Sequence, residues 1–175
     1  NEYNYQAAQI LVTKHIETDS TMKENSKNTL CQLLSMDVIP IVNENDTIST
    51  FEIEFGDNDT LSAVVSRIVD ADLLILLSDI DGLYNDDPNK NKDAHLIKEV
   101  NEINDDLRAM AKGSNSAVGT GGMATKINAA TLCMEKDIDV VIANSEDMKI
   151  IRKIVGGEEV GTIFKKKSNW NGRKV

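Results

Sequence analysis

Three short runs in this chain are almost wholly apolar: Val38-Ile39-Pro40-Ile41-Val42, Asp72-Leu73-Leu74-Ile75-Leu76-Leu77 and Asp139-Val140-Val141-Ile142-Ala143. A strand with one face in water alternates apolar and polar side chains, so a run that does not alternate must be covered on both faces. Stretches with helical spacing separate these runs. Asn25 to Met36 turns Leu30, Leu33 and Leu34 inward, and Asn58 to about Ala71 does the same with Leu61, Val64, Val65 and Ile68. Met123 to about Lys136 lines up Ile127, Ala130, Thr131 and Met134. Helices alternating with doubly buried strands specify an α/β protein, here a three-layer αβα sandwich with a mostly parallel central sheet. Asp72 to Leu77 is the expected central strand, and Pro40 places the first run near an edge or a bulge.

The remaining segments fill in around that frame. Tyr3 to about Ile16 carries Tyr5, Ala8, Leu11 and Val12 at helical spacing, and the polar stretch from Glu17 to Glu24 reads as a loop. Ile48 to Phe55 alternates, as a strand or small hairpin does, and Asn85 to Asp93 is a solvated loop. Ile97 to Val100 suits a short strand, followed by a helix from Asn104 to Lys112 capped by Asn104. Ser145 is the expected cap of a helix ended by Gly156-Gly157, and Val160 to Phe164 forms a last strand. At 175 residues one domain suffices, spanning 1–165, with 166–175 a basic, polar tail or linker.

Polar or glycine clusters stand where these elements end. They are Asn43-Glu44-Asn45-Asp46, Gly56-Asp57-Asn58-Asp59, Ser78-Asp79 and Gly119 to Lys126. Ligands of open α/β sheets bind outside the carboxyl ends of the strands, so convergence of the four clusters there is the functional signal. Taken singly, each has a plainer explanation. Asn43 to Asp46 is equally good turn chemistry, and Asp57 or Asn58 can cap the helix that follows. Capping cannot employ both carboxylates and the amide together. The second carboxylate is therefore expected to face a lysine or a substrate ammonium. Leu61 stands where a calcium loop would need an oxygen ligand.

Gly119-Thr120-Gly121-Gly122 places three glycines in four residues directly before the Met123 helix. Backbone without Cβ atoms can approach a ligand closely. A helix N-terminus offers free N–H groups and the positive end of the dipole, and Lys126 adds a full charge one turn in. A flexible surface loop is the competing reading; a polyphosphate site is the one that uses the lysine. The segment is not a P-loop, because Lys126 stands four residues after Gly122 and is followed by Ile127. It matches the dinucleotide fingerprint only permissively, with Ala124 in the last glycine place.

Composition removes several function classes. A net charge of −10 repels nucleic acid and anionic membranes, and only 4% of residues are aromatic, too few for a base-stacking surface. No apolar stretch approaches membrane-spanning length. Cys31 and Cys133 both fall on apolar helix faces, as reduced core cysteines of a cytoplasmic protein do. The chain opens at Asn1 inside a patterned segment, which suggests a fragment or a processed product.

In order and spacing, Asn43 to Asp46, Gly56 to Asp59, Ser78-Asp79 and Gly119 to Lys126 resemble the glutamate 5-kinases, a family of the amino acid kinase superfamily, from about Tyr5 to Phe164. The resemblance implies ATP- and Mg²⁺-dependent phosphorylation of the γ-carboxylate of L-glutamate, the first step of proline synthesis. Asp46 and Asn58 would hold the glutamate, and Ser78 and Asp79 would contact the nucleotide. Thr120, Gly121, Gly122, Met123, Ala124, Thr125 and Lys126 would wrap its phosphates. Lys126 and Asp59 would be catalytic, Asp59 orienting Lys126 and a second, N-terminal lysine. The resemblance also implies a homo-oligomer that proline can inhibit.

The chain departs from that family at its start. The expected first strand with the second lysine, the glycine-rich turn and a glutamate-contacting serine are not in it, so the domain is expected to be N-terminally truncated and inactive alone. Other superfamily members, acting on aspartate, acetylglutamate or nucleoside monophosphates, are the alternative, as is a nucleotide-binding fragment without turnover.

Overall fold

The structure is a computed structural model that describes residues 4–13, 15–45, 57–88, 90–113 and 122–165. Strand β1 (Gln6–Val12) leads through α1 (His15–Thr18) and α2 (Ser20–Ser35) to β2 (Val38–Glu44). Helix α3 (Asn58–Ile68) precedes β3 (Leu73–Ser78), and a loop then reaches the short β4 (Glu99–Val100) and α4 (Asp105–Gly113). Helix α5 (Met123–Met134), β5 (Asp139–Asn144), α6 (Ile150–Val155) and β6 (Thr162–Phe164) are the last elements among the described residues.

Among the described residues two sheets result, β1-β2 and β3-β5-β6-β4, and of their strand pairings only β5–β6 is antiparallel. The doubly buried strand expected from the apolar runs is realised most fully in β5. Val140 and Ile142 enter one core with Ile127, Ala130 and Phe164, while Val141 and Ala143 enter another with Ile154. Alternation along one strand thus feeds two layers, with α4 and α5 on one side and α6 on the other. Val12, Leu61, Val64 and Ile68 join one face of β1-β2 to α3. On the other face Leu11, Ile39 and Ile41 are exposed.

Short turns carry each helix back to its strand. Asp37, Asp70 and Asp137 follow α2, α3 and α5 with φ of 56°, 52° and 57°. Aspartate is among the few side chains that tolerate this left-handed geometry, which ends a helix and turns the chain sharply. Because α3 and α5 run back against β3 and β5, their N-termini lie at the carboxyl edge of the sheet.

Several expectations are corrected. The Tyr3 to Ile16 segment is a strand followed by a short helix, because β1 pairs with β2 along its full length and that pairing outweighs its helical spacing. Glu17 to Glu24 is helical rather than loop, with Asp19 capping α2 by accepting from Met22 N at 2.9 Å. β3 stands at the end of its sheet rather than at the centre, which β5 and β6 occupy among the described residues. Ser145 caps no helix; Asn144 and Asp147 side chains hold the turn there, and α6 begins only at Ile150. Cys31 is exposed, whereas Cys133 is buried as expected. The Ile48 to Phe55 strand and the 166–175 tail lie outside the described residues.

Candidate functional site

The N-terminal turns of α3 and α5 meet. Asp57 caps α3 from an extended conformation, its carboxylate accepting from Thr60 N at 2.6 Å and from Thr60 Oγ1 at 3.1 Å. That role occupies Asp57, leaves Asn58 exposed and turns Asp59, one step on, toward α5. Asp59 Oδ2 accepts from Lys126 Nζ at 3.1 Å and from Thr125 Oγ1 at 2.7 Å. The two side chains of the ion pair are only 9% (Lys126) and 16% (Asp59) exposed. The close approach of the helices is made by small residues: Ala63 of α3 and Ala129 and Ala130 of α5 are wholly buried in one core.

Gly122 caps α5 without any side-chain hydrogen bond, and a Cβ built on it meets nothing within 4 Å. The N-terminus of α5 thus carries no side-chain cap and begins one turn before the buried Lys126 ammonium. This is the arrangement that receives an anion.

At the carboxyl ends of β3 and β5, Ser78 pairs in register with Asn144. Ser78 Oγ donates to Asp79 Oδ1 at 3.1 Å. Asn144 Nδ2 donates to Asp81 Oδ1 at 2.9 Å, and Tyr84 Oη to Asp81 Oδ2 at 3.2 Å. Loss of water around Tyr84, followed by the Asp81 carboxylate it faces, raises its pKa above the usual phenol value. Leu83 N donates to the buried Thr162 Oγ1 at 2.8 Å, tying this loop to β6.

Of the residues singled out from sequence, Asp59, Thr125 and Lys126 are brought into direct contact, with Gly122, Met123 and Ala124 at the same helix end. Asn58 opens α3 beside them, and Ser78 and Asp79 occupy the strand end. Asp46, Thr120 and Gly121 lie outside the described residues. Sequence reasoning missed Asp81 and Asn144. Asn144 carried the same signal as Ser78, a polar residue closing an apolar strand, but the strand was ended one residue early. No group of three or more His, Cys, Asp or Glu among the described residues could hold a metal ion.

The profile of the amino acid kinase family matches residues 1–144. The chain belongs to the amino acid kinase family. Among curated relatives, it is 52% identical over 172 residues to the glutamate 5-kinase of Carboxydothermus hydrogenoformans, covering 97% of this chain and 46% of that protein. It is 48% identical over 167 residues to the glutamate 5-kinase of Clostridium perfringens, covering 93% and 62%. Among solved structures, T. acidophilum isopentenyl phosphate kinase superposes with a TM-score of 0.61 at 16% identity, over 94% of this chain and 62% of that one. UMP kinase from Ureaplasma parvum gives 0.61 at 15%, over 94% and 62%. These two likenesses establish the amino acid kinase fold and nothing finer. The chain thus spans about half to under two-thirds of the length of these curated relatives.

Proposed function

We propose that the protein to which this chain belongs phosphorylates the γ-carboxylate of L-glutamate with ATP, and that residues 1–165 are the C-terminal two-thirds of its kinase domain. The observation that carries this reading is the buried Asp59–Lys126 pair beside the N-terminus of α5, whose cap Gly122 supplies no side-chain hydrogen bond. Phosphoryl transfer asks a protein mainly for positioning and for neutralisation of charge. A carboxylate acceptor is already ionised, so no general base is needed. One oxygen of the γ-carboxylate attacks the γ-phosphorus, the bond to the β-phosphate oxygen breaks, and ADP leaves with the electron pair.

In this reading the Lys126 ammonium offsets charge on the transferring phosphoryl group, and Asp59 keeps it aimed. The α5 amides and the 120–124 backbone cradle the phosphates, with Ser78 and Asp79 at the nucleotide's other contacts. Asp46 and Asn58 hold the glutamate. Mg²⁺ would supply further neutralisation on phosphate oxygens. Glutamate is favoured over the substrates of other superfamily members by identities of 45–52% to proteins named glutamate 5-kinase. The solved kinases of isopentenyl phosphate and UMP stand at only 15–20%. We also place the protein in the cytoplasm, in a homo-oligomer open to inhibition by proline.

The test is an assay of the full-length protein with glutamate, ATP and Mg²⁺, trapping the acyl phosphate with hydroxylamine. Asp46→Ala and Asn58→Ala should raise the glutamate KM with the ATP KM within a few-fold, since ground-state contacts register in KM. Collapse of ATP binding in these variants would reverse the assignment.

A further inference from the structure

We infer that the Thr125 hydroxyl is a positioning device for Lys126 that works through Asp59, and is not a ligand of the nucleotide. This refinement rests on the reading of Asp59 and Lys126 given above. Thr125 Oγ1 lies 2.7 Å from Asp59 Oδ2 and 2.7 Å from the Gly122 carbonyl oxygen. Both neighbours are acceptors, and a hydroxyl has one proton. The Gly122 carbonyl already accepts from the Thr125 backbone N–H at 3.1 Å. The ionised carboxylate is also the stronger acceptor, so the proton goes to Asp59.

Asp59 Oδ2 is then held by two donors from consecutive residues, Thr125 Oγ1 and Lys126 Nζ. The ammonium sits on a flexible four-carbon stem and can reach many places, whereas a threonine side chain in a helix is stiff at χ1. The rigid partner fixes the carboxylate, and the carboxylate fixes the mobile one. With its hydroxyl turned onto Asp59 of α3 and its N–H donated to the Gly122 carbonyl, Thr125 has no donor left for the phosphates.

Kinetics of the full-length protein distinguish this role from a phosphate contact. Thr125→Val keeps the shape and removes the donor; it should lower kcat about 10- to 100-fold, the worth of a hydrogen bond to a charged group, with the ATP KM within about threefold. Thr125→Ser should restore kcat to within about threefold of wild type. In an Asp59→Asn background, the same Val substitution should cost almost nothing further, because its effect passes through the carboxylate. If Thr125→Val does not fold, Thr125→Ala carries the same comparison. A tenfold rise in ATP KM at unchanged kcat, additive effects in the double variant, or no effect of Thr125→Val overturns the inference. Wild-type kcat in Lys126→Ala would instead sink the parent reading.

Discussion

Lys126 Nζ sits 3.1 Å from Asp59 Oδ2, and the pair joins two helices whose residues lie 67 positions apart in the chain. The bond closes the N-terminal turn of α5 onto that of α3. Neither side chain has much water around it, so removing one charge leaves the other poorly compensated.

That dependence has a kinetic consequence. In the full-length protein Lys126→Ala should lower kcat by about two to four powers of ten, the range for removing a charge stabiliser of the transition state. The glutamate KM should change much less. Steady-state kinetics with both substrates varied will decide, and a near-normal kcat removes Lys126 from the chemistry.

The same pair should behave asymmetrically in stability. Asp59→Leu removes the carboxylate that faces a buried ammonium and should cost roughly 3–5 kcal/mol, whereas Asp59→Leu with Lys126→Met should recover most of it, since apolar replacement of a whole pair is often neutral. Urea titrations of the three proteins measure this. Equal loss in the single and double variants would show that the pair's burial is not what makes it costly to break.

Thr162 supports a different joint. Its wholly buried hydroxyl accepts from Leu83 N at 2.8 Å and donates to the Ile97 carbonyl at 2.6 Å, pinning the loop after β3 to β6. The fit is close: a Cβ on Gly82, whose φ is 157°, would come 2.5 Å from Thr162 Oγ1. Thr162→Val keeps the volume and leaves a buried donor and acceptor unpaired, so it should destabilise by about 2–4 kcal/mol in denaturant titration. A loss under about half a kcal/mol would mean that water or a shifted loop replaces both bonds.

What the sequence disclosed follows the range of the forces involved. The apolar runs of β3 and β5 and the stripe of α3 state their burial in composition, and the cap at Asp57 is a three-residue interaction. Asp59 could be read as facing a cation because one helix end cannot use two carboxylates. What failed was long-range. β1 has helical spacing and becomes a strand only because β2 lies beside it, 32 residues on. The Asp81–Asn144 and Leu83–Thr162 bonds span 63 and 79 residues, and no local pattern announces them. Cys31 and Cys133 look alike on helical wheels, yet Cys133 is wholly buried in a core that α5 shares with β5, while Cys31 is exposed on α2.

The two thiols should therefore react differently. Burial pushes the Cys133 pKa up to about 11, and its side chain has no access to solvent, while Cys31 is exposed. A maleimide at pH 7.5 should add once to the native protein, at Cys31, and twice after denaturation, as read by intact mass and peptide mapping. Rapid native labelling of Cys133 would show that α5 opens from the sheet far more readily than its packing implies.

A last expectation concerns these 175 residues purified alone. In the proposed enzyme the nucleotide contacts at Ser78, Asp79 and the 120–126 segment are all within the chain. The resemblance assigns a second lysine and a glutamate-contacting serine to sequence outside it, and the chain spans 46% to 62% of the first two relatives described. Half of a cationic clamp can attract a polyphosphate but cannot close against water around it. Calorimetry should accordingly detect weak ATP or ADP binding that Lys126→Ala abolishes, while the hydroxamate assay stays blank. Robust turnover by the isolated chain would show that Lys126 and the α5 amides neutralise the transferring group unaided, and the second lysine would lose its assigned role.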